Sequence, residues 1–176
     1  MGSIYLNLRT SNGADAPDQR AVVGELLAPY AARGYTIATT EAGLIPFKSH
    51  WRALDAWGLN DQAIAHRGYI TASDLDRRKP LVAFVHMAYV PGHEPLPSPL
   101  LGQAWTNMTL TLNAWLSNHG YQLVRSVSDG GQGTWNAWVL PGSADSHAIA
   151  ELLACRTYPG EVNIVPVSLV SDCQGS

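Results

Sequence analysis

The segment Leu81-Val82-Ala83-Phe84-Val85-His86-Met87-Ala88-Tyr89 limits the fold more than any other stretch of the chain. It is apolar at nearly every position rather than at every second one, so a strand built from it has to be covered on both faces. Pro80 marks its entry, and the proline-rich loop from Pro91 to Pro99 comes after it. This run and its continuation to Val90 are far shorter than the roughly 20 residues that cross a bilayer, so no membrane span is expected.

Beyond this strand the local signals come in a definite order. Ser98 as N-cap and Pro99 at the first helical position open a helix in which Leu101, Trp105, Met108, Leu112 and Trp115 are spaced by four, three, four and three. Gly120 ends it. Tyr121 to Val127 is a strand, Asp129-Gly130-Gly131-Gln132-Gly133 a hairpin turn, and Thr134 to Leu140 the returning strand. Ser143 or Asp145 caps a last helix through Ile149, Leu152 and Leu153, and Val162 to Leu169 is a closing strand that Pro166 pushes toward an edge. The order β-α-β-β-α-β over residues 81–176 resembles the split βαβ, or ferredoxin-like, topology, and the expected class is α+β.

The first 80 residues are less regular. Ile4 to Leu8 alternates as a strand, and Asp15 or Asp18 caps a helix carrying Val22, Val23, Leu26, Leu27 and Tyr30. Pro29 is placed to kink its last turn and Gly34 to end it. Tyr35 to Thr40 reads as a second strand and Leu44 to Phe47 as a third. A short helix is expected around Trp51, Leu54 and Trp57, and another from Asn60 to Arg67. Ala32-Arg33-Gly34-Tyr35-Thr36-Ile37 echoes Asn118-His119-Gly120-Tyr121-Gln122-Leu123, so this βαβ-containing half is either a degenerate second copy sharing the sheet or an elaboration. In both cases the expectation is one compact domain over 1–176, with internal halves 1–80 and 81–176.

Charge is scarce and unevenly placed. Charged residues make up 14% of the chain, against roughly 25% in an average soluble domain, so uncharged surface is left to dock a partner. Residues 1–80 hold nine of the eleven Lys and Arg against eight carboxylates, while residues 81–176 hold only Arg125 and Arg156 against six. The second half therefore cannot neutralise a run of phosphates. A nucleic-acid surface would have to use Arg67, Arg77, Arg78 and Lys79, with Arg52. Cys155 and Cys173 are the only cysteines, there is no CxxC, and Met-Gly-Ser-Ile-Tyr-Leu lacks the character of a secretory leader, so the expected compartment is the cytosol. Cys155 is expected as an inert buried thiol.

No motif dictates a reaction. His86, His93 and Glu94 are the only closely spaced residues of metal-ligand type, and a divalent ion would need another histidine, from His50, His66, His119 or His147, to complete the set. With that set the chain is similar to the tandem βαβββ modules of glyoxalases and extradiol dioxygenases, except that a helix comes after Leu140 where such a module needs a strand. The small ferredoxin-like ribonucleases match in topology but place a carboxylate where this chain has Tyr89 and Val90, or Arg9 and Thr10. The glycine loop 129–133 leads into a strand rather than a helix N-terminus, which favours a hairpin over a phosphate loop. Trp135 and Trp138 lie three apart on one strand and point to opposite faces.

Composition therefore favours a non-enzymatic module that binds another protein. Such a chain would be an inhibitor, an antitoxin-like or an anti-defence factor, with an uncharged aromatic surface and an acidic half that can mimic nucleic acid. Trp135, Trp138, Tyr89, His93, Glu94, Arg77, Arg78 and Lys79 are the candidate contact residues. No cofactor is expected, and homo-oligomer formation through a sheet edge is open. The alternatives are a metal- or small-molecule-dependent enzyme using His86, His93 and Glu94, and RNA or single-stranded DNA binding through residues 67–79.

Overall fold

A computed structural model describes residues 18–87, 102–128, 134–155 and 162–164. The expected first strand at Ile4–Leu8, the loop with Tyr89, His93 and Glu94, the Ser98-Pro99 cap, the glycine turn 129–133 and most of the expected last strand lie outside these residues.

The fold is α+β. Its helices are α1 (Gln19–Leu27), a 3-10 helix (Ala28–Arg33), α2 (Leu44–Ser49), α3 (Gln62–Arg67), α4 (Ala72–Arg78), α5 (Gly102–Asn118) and α6 (Ser146–Cys155). The strands are β1 (Thr36–Thr39), β2 (Arg52–Asp55), β3 (Val82–Met87), β4 (Gln122–Ser128), β5 (Thr134–Val139) and the short β6 (Val162–Ile164). They form one mixed sheet in the order β2-β1-β3-β5-β4, with β6 pairing beyond β4. β2, β1 and β3 run parallel, whereas β3, β5 and β4 are antiparallel.

The Leu81–Tyr89 run explains this arrangement. β3 lies between β1 and β5, and its side chains alternate between two separate cores. Ala83 and Val85 join Ala38, Leu54, Ile64, Leu75, Met108, Leu112 and Leu116 under α3, α4 and α5. Val82 and Phe84 join Leu27, Ile37, Ile45, Val124, Val139, Ile149 and Leu153 under α1, α2 and α6. Each face of the strand is thus shielded by its own layer of helices.

The chain order β-α-β-β-α-β expected after residue 80 is present as β3-α5-β4-β5-α6-β6. Its spatial arrangement is not ferredoxin-like. In that topology the last strand returns beside the first and both helices share a face. Here β1 occupies the position beside β3, β6 pairs with β4, and α5 and α6 cover opposite faces. The first half forms a parallel β1-α2-β2 unit rather than a hairpin, so its topology does not repeat that of the second. The echo at Gly34 and Gly120 reflects a shared helix-ending geometry, φ 72° and 75°, which glycine adopts without steric cost.

Two local expectations are corrected. Leu44–Phe47 is the start of α2, not a strand: Pro46 lies in the first helical turn, where a missing N–H breaks no helical bond. Around Trp51, Leu54 and Trp57 the chain forms β2, not a helix. A spacing of three also suits opposite faces of a strand, and Trp51 and Leu54 enter different cores. Other signals act as read. Asp18 caps α1 by accepting from the Arg20 N–H at 2.9 Å, and Pro29 coincides with passage into the 3-10 helix. Cys155 is not a free thiol: at the end of α6 it is disulfide-bonded. Cys173, the only other cysteine, lies outside the described residues.

Candidate functional site

The C-terminal ends of β1 and β3 are adjacent, and the next described helices in the chain after them lie on opposite faces of the sheet. After β1 the chain passes into α2 on one face; after β3 it reaches α5 on the other. In open α/β sheets such a divergence opens a crevice at the strand ends, where ligands commonly bind. Thr40, Glu41 and His86 stand at this place. The Thr40 N–H donates to the Phe84 carbonyl at 3.2 Å, and the His86 N–H to Thr40 Oγ1 at 3.0 Å, extending the β1–β3 ladder past the end of β1.

Glu41 is the hub. Its Oε1 lies 2.9 Å from His86 Nδ1, and its Oε2 accepts from Arg20 of α1 at 2.9 Å. Arg20 is itself held by Asp18, which accepts from Nε at 3.0 Å and from the second guanidinium nitrogen at 2.7 Å. Arg20, Glu41 and His86 are partly shielded from solvent, while Asp18 is exposed. Burial alone would push the Glu41 carboxyl upward, but the hydrogen bond and charge of His86, then those of Arg20, outweigh it and hold the pKa below the usual value. The Asp18 hydrogen bond raises Arg20, which is a fixed cation at any accessible pH. Glu41 is therefore an ionised acceptor, and the hydrogen between it and His86 belongs to Nδ1.

Aromatic groups flank the imidazole. Trp135, the cross-strand partner of His86, stacks on it with ring centroids 4.4 Å apart and planes 1° from parallel. Trp105 of α5 meets it edge to face at 6.1 Å, and Trp57 packs on Trp105 at 5.1 Å. Asp55, at the end of the next parallel strand, is almost fully buried. Its carboxylate accepts from the N–H groups of Trp57, Gly58 and Asn60, fixing the turn that carries Trp57.

The residues singled out from sequence are dispersed. Trp135 and Trp138 do face opposite sides of β5, with Trp135 on His86 and Trp138 packed against the core under α5. Tyr89, His93 and Glu94 lie outside the described residues, among which no three His, Cys, Asp or Glu side chains are grouped to hold a metal ion. In the basic segment, Arg67 and Arg77 both bind Asp74, which also closes a capping box with Thr71 at the start of α4. Arg78 approaches Asp61 at 3.8 Å, and Lys79 forms the left-handed end of α4. Arg52 is exposed on β2, at the sheet edge. No helix among the described residues is long and apolar enough to cross a membrane.

Sequence reading missed Glu41 and Arg20. The available signal was modest: Thr39-Thr40-Glu41 puts polar residues directly after an apolar parallel strand, which is where site residues of such sheets lie.

The helices on both faces of a mixed sheet define the class as an α+β protein, with an acid–histidine pair at the ends of β1 and β3. The chain belongs to the family described as Domain of unknown function (DUF8728), whose model matches residues 8–147. That span contains Arg20, Glu41, His86 and Trp135. Neither the curated proteins nor the solved structures yield a match.

Proposed function

We propose that the crevice at the ends of β1 and β3 binds a small molecule and that the Glu41–His86 pair performs acid–base chemistry on it. The observation that carries this reading is the position of the pair, at the ends of neighbouring parallel strands whose next described helices lie on opposite faces of the sheet. An ionised Glu41 orients the ring and supports the imidazolium form of His86. Trp135 covers one face of the ring, which limits its motion and favours its cationic form.

This retains the small-molecule alternative read from His86 and adds Glu41 to it, His93 and Glu94 lying outside the described residues. Protein docking has less support, because the two tryptophans expected to form its surface are engaged by His86 and by the core. Nucleic-acid binding is likewise weakened by the use of Arg67 and Arg77 on Asp74.

Ring-nitrogen NMR on labelled protein, screened against a library of polar metabolite-like compounds, tests the proposal. A binding compound should shift the His86 ring signals, and His86→Asn should lose that binding while retaining the wild-type melting temperature. Failure of every compound to perturb His86, or unchanged affinity in His86→Asn, would overturn it.

A further inference from the structure

We infer that Arg20 is a positioning residue: it acts through Glu41 to set the orientation and tautomer of His86. This role rests on the reading of the crevice as an acid–base site and deepens it.

The two oxygens of Glu41 are divided between two partners. A carboxylate on a flexible side chain can rotate and offer either oxygen to the imidazole. Here Arg20 takes Oε2 and His86 takes Oε1, both at 2.9 Å, so rotation would break one charge-assisted bond to make the other. Arg20 can hold that position because its own plane is fixed. Asp18 engages Nε and one terminal nitrogen side by side, leaving the other terminal nitrogen aimed at Glu41. Asp18 is in turn anchored as the N-cap of α1.

The chain of contacts Asp18–Arg20–Glu41–His86 thus runs from a helix start to the end of a central strand. A lysine could supply the charge but not the fork, because an ammonium has no planar pair of donors.

The seating of α1 supports the same role. A Cβ on Gly24 would lie 2.5 Å from Lys48 Cβ and 2.9 Å from the Ile45 carbonyl oxygen, so α1 approaches α2 as closely as glycine permits. α2 starts after Glu41 with only Ala42 and Gly43 between them. This packing, together with the Lys48–Glu25 ion pair at 3.0 Å, sets the helix bearing Arg20 against the segment bearing Glu41.

Among the described residues, the charged groups facing His86 are Glu41 directly and Arg20 and Asp18 behind it. β5 and α5 present Trp135 and Trp105. This set allows a test by sign. Removing a cation near an imidazole raises its titration midpoint if the cation acts only through its field; removing a group that holds the partnering carboxylate in place lowers it.

The experiment is a ring-nitrogen NMR titration of His86 in the wild-type chain and in Arg20→Gln, Arg20→Lys and Glu41→Gln, with melting temperatures to confirm folding. The His86 midpoint should move downward in all three variants. The neutral ring should also lose its Nδ1–H preference in both arginine variants. An upward move in Arg20→Gln, or a wild-type tautomer in Arg20→Lys, would overturn the role. Asp18→Asn, which weakens the fork and keeps Arg20, should give a smaller shift in the same direction; if the Gln variant does not fold, this variant and Arg20→Lys decide. These readouts need no ligand, so failure to find one would count against the binding reading and leave the role of Arg20 separately decided.

Discussion

Two carboxylates, Asp74 on α4 and Glu41 after β1, each take two basic partners, and they differ in where those partners come from. Asp74 binds Thr71, Arg77 and Arg67, at sequence separations of three, three and seven. Glu41 binds Arg20 and His86, at separations of 21 and 45. Both acids sit below their usual pKa against the upward push of burial. Asp74 is helped by Thr71 and then by the two arginines: Thr71 and Arg77 cap and brace α4, and Arg67 ties it to the end of α3, its neighbour in the chain. Glu41 is helped by groups from α1 and β3, and it joins elements that no local rule brings together. Like chemistry thus serves a short-range brace in one place and a long-range junction in the other.

This contrast has measurable consequences. The largest effect is expected at Asp74, whose side chain is only 5% exposed. Asp74→Ala removes the capping box and leaves its partners unpaired, and should cost about 3 kcal/mol in urea unfolding. Both acids are lower in pKa when folded than when unfolded. Their stabilisation is present above the ordinary carboxylate pKa of about 4 and is lost as pH falls through the lower folded value. Asp74→Ala should therefore also flatten the acid limb of the stability curve.

Gly24→Ala comes next. The added methyl has no room against α2, and the strain, partly offset by better helix propensity, should cost about 1.5 kcal/mol. It should also disturb the His86 ring signals, because α1 carries Arg20.

Glu41→Gln should cost about 1 kcal/mol, since the amide keeps the size and part of the hydrogen bonding. Its main consequence should be a lower titration midpoint for His86, read by NMR. If its stability cost equalled that of Asp74→Ala, the distinction between the two acids would fail.

The smallest effect belongs to Arg77→Ala. Its side chain is 64% exposed, so loss of its i,i+3 pair should change stability by less than about 0.5 kcal/mol. A larger loss would show that Arg77 does more than form an exposed pair within α4.

Much of the fold could be read from short-range patterns. The four- and three-residue spacing of Trp105, Met108, Leu112 and Trp115 marks the buried stripe of α5, and all four are buried. Asp18 and the glycines at 34 and 120 punctuate the helices through local backbone chemistry. The errors arose where a short pattern suits two structures. Leu-Ile-Pro-Phe is apolar enough for a strand but begins α2, and the tryptophan spacing around Leu54 suits either a helix face or two strand faces. The candidate site was half legible. His86 stood out as a lone polar residue in an apolar run, while Glu41 carried only the weak mark of a polar residue just after a strand, because its partners come from elsewhere in the chain.

The sequence alone led to the expectation that the Leu81–Tyr89 run is covered on both sides, since an apolar strand cannot leave either face in water, and Leu81–Val85 are buried. Which layers cover it was beyond any local signal. Tertiary structure decided that β1, and not the last strand, lies beside it, that α5 and α6 take opposite faces, and that His86 meets Glu41. Strand order and helix placement are settled by the joint packing of two cores, and hydrogen bonds between strand neighbours leave no trace in the spacing of residues along the chain.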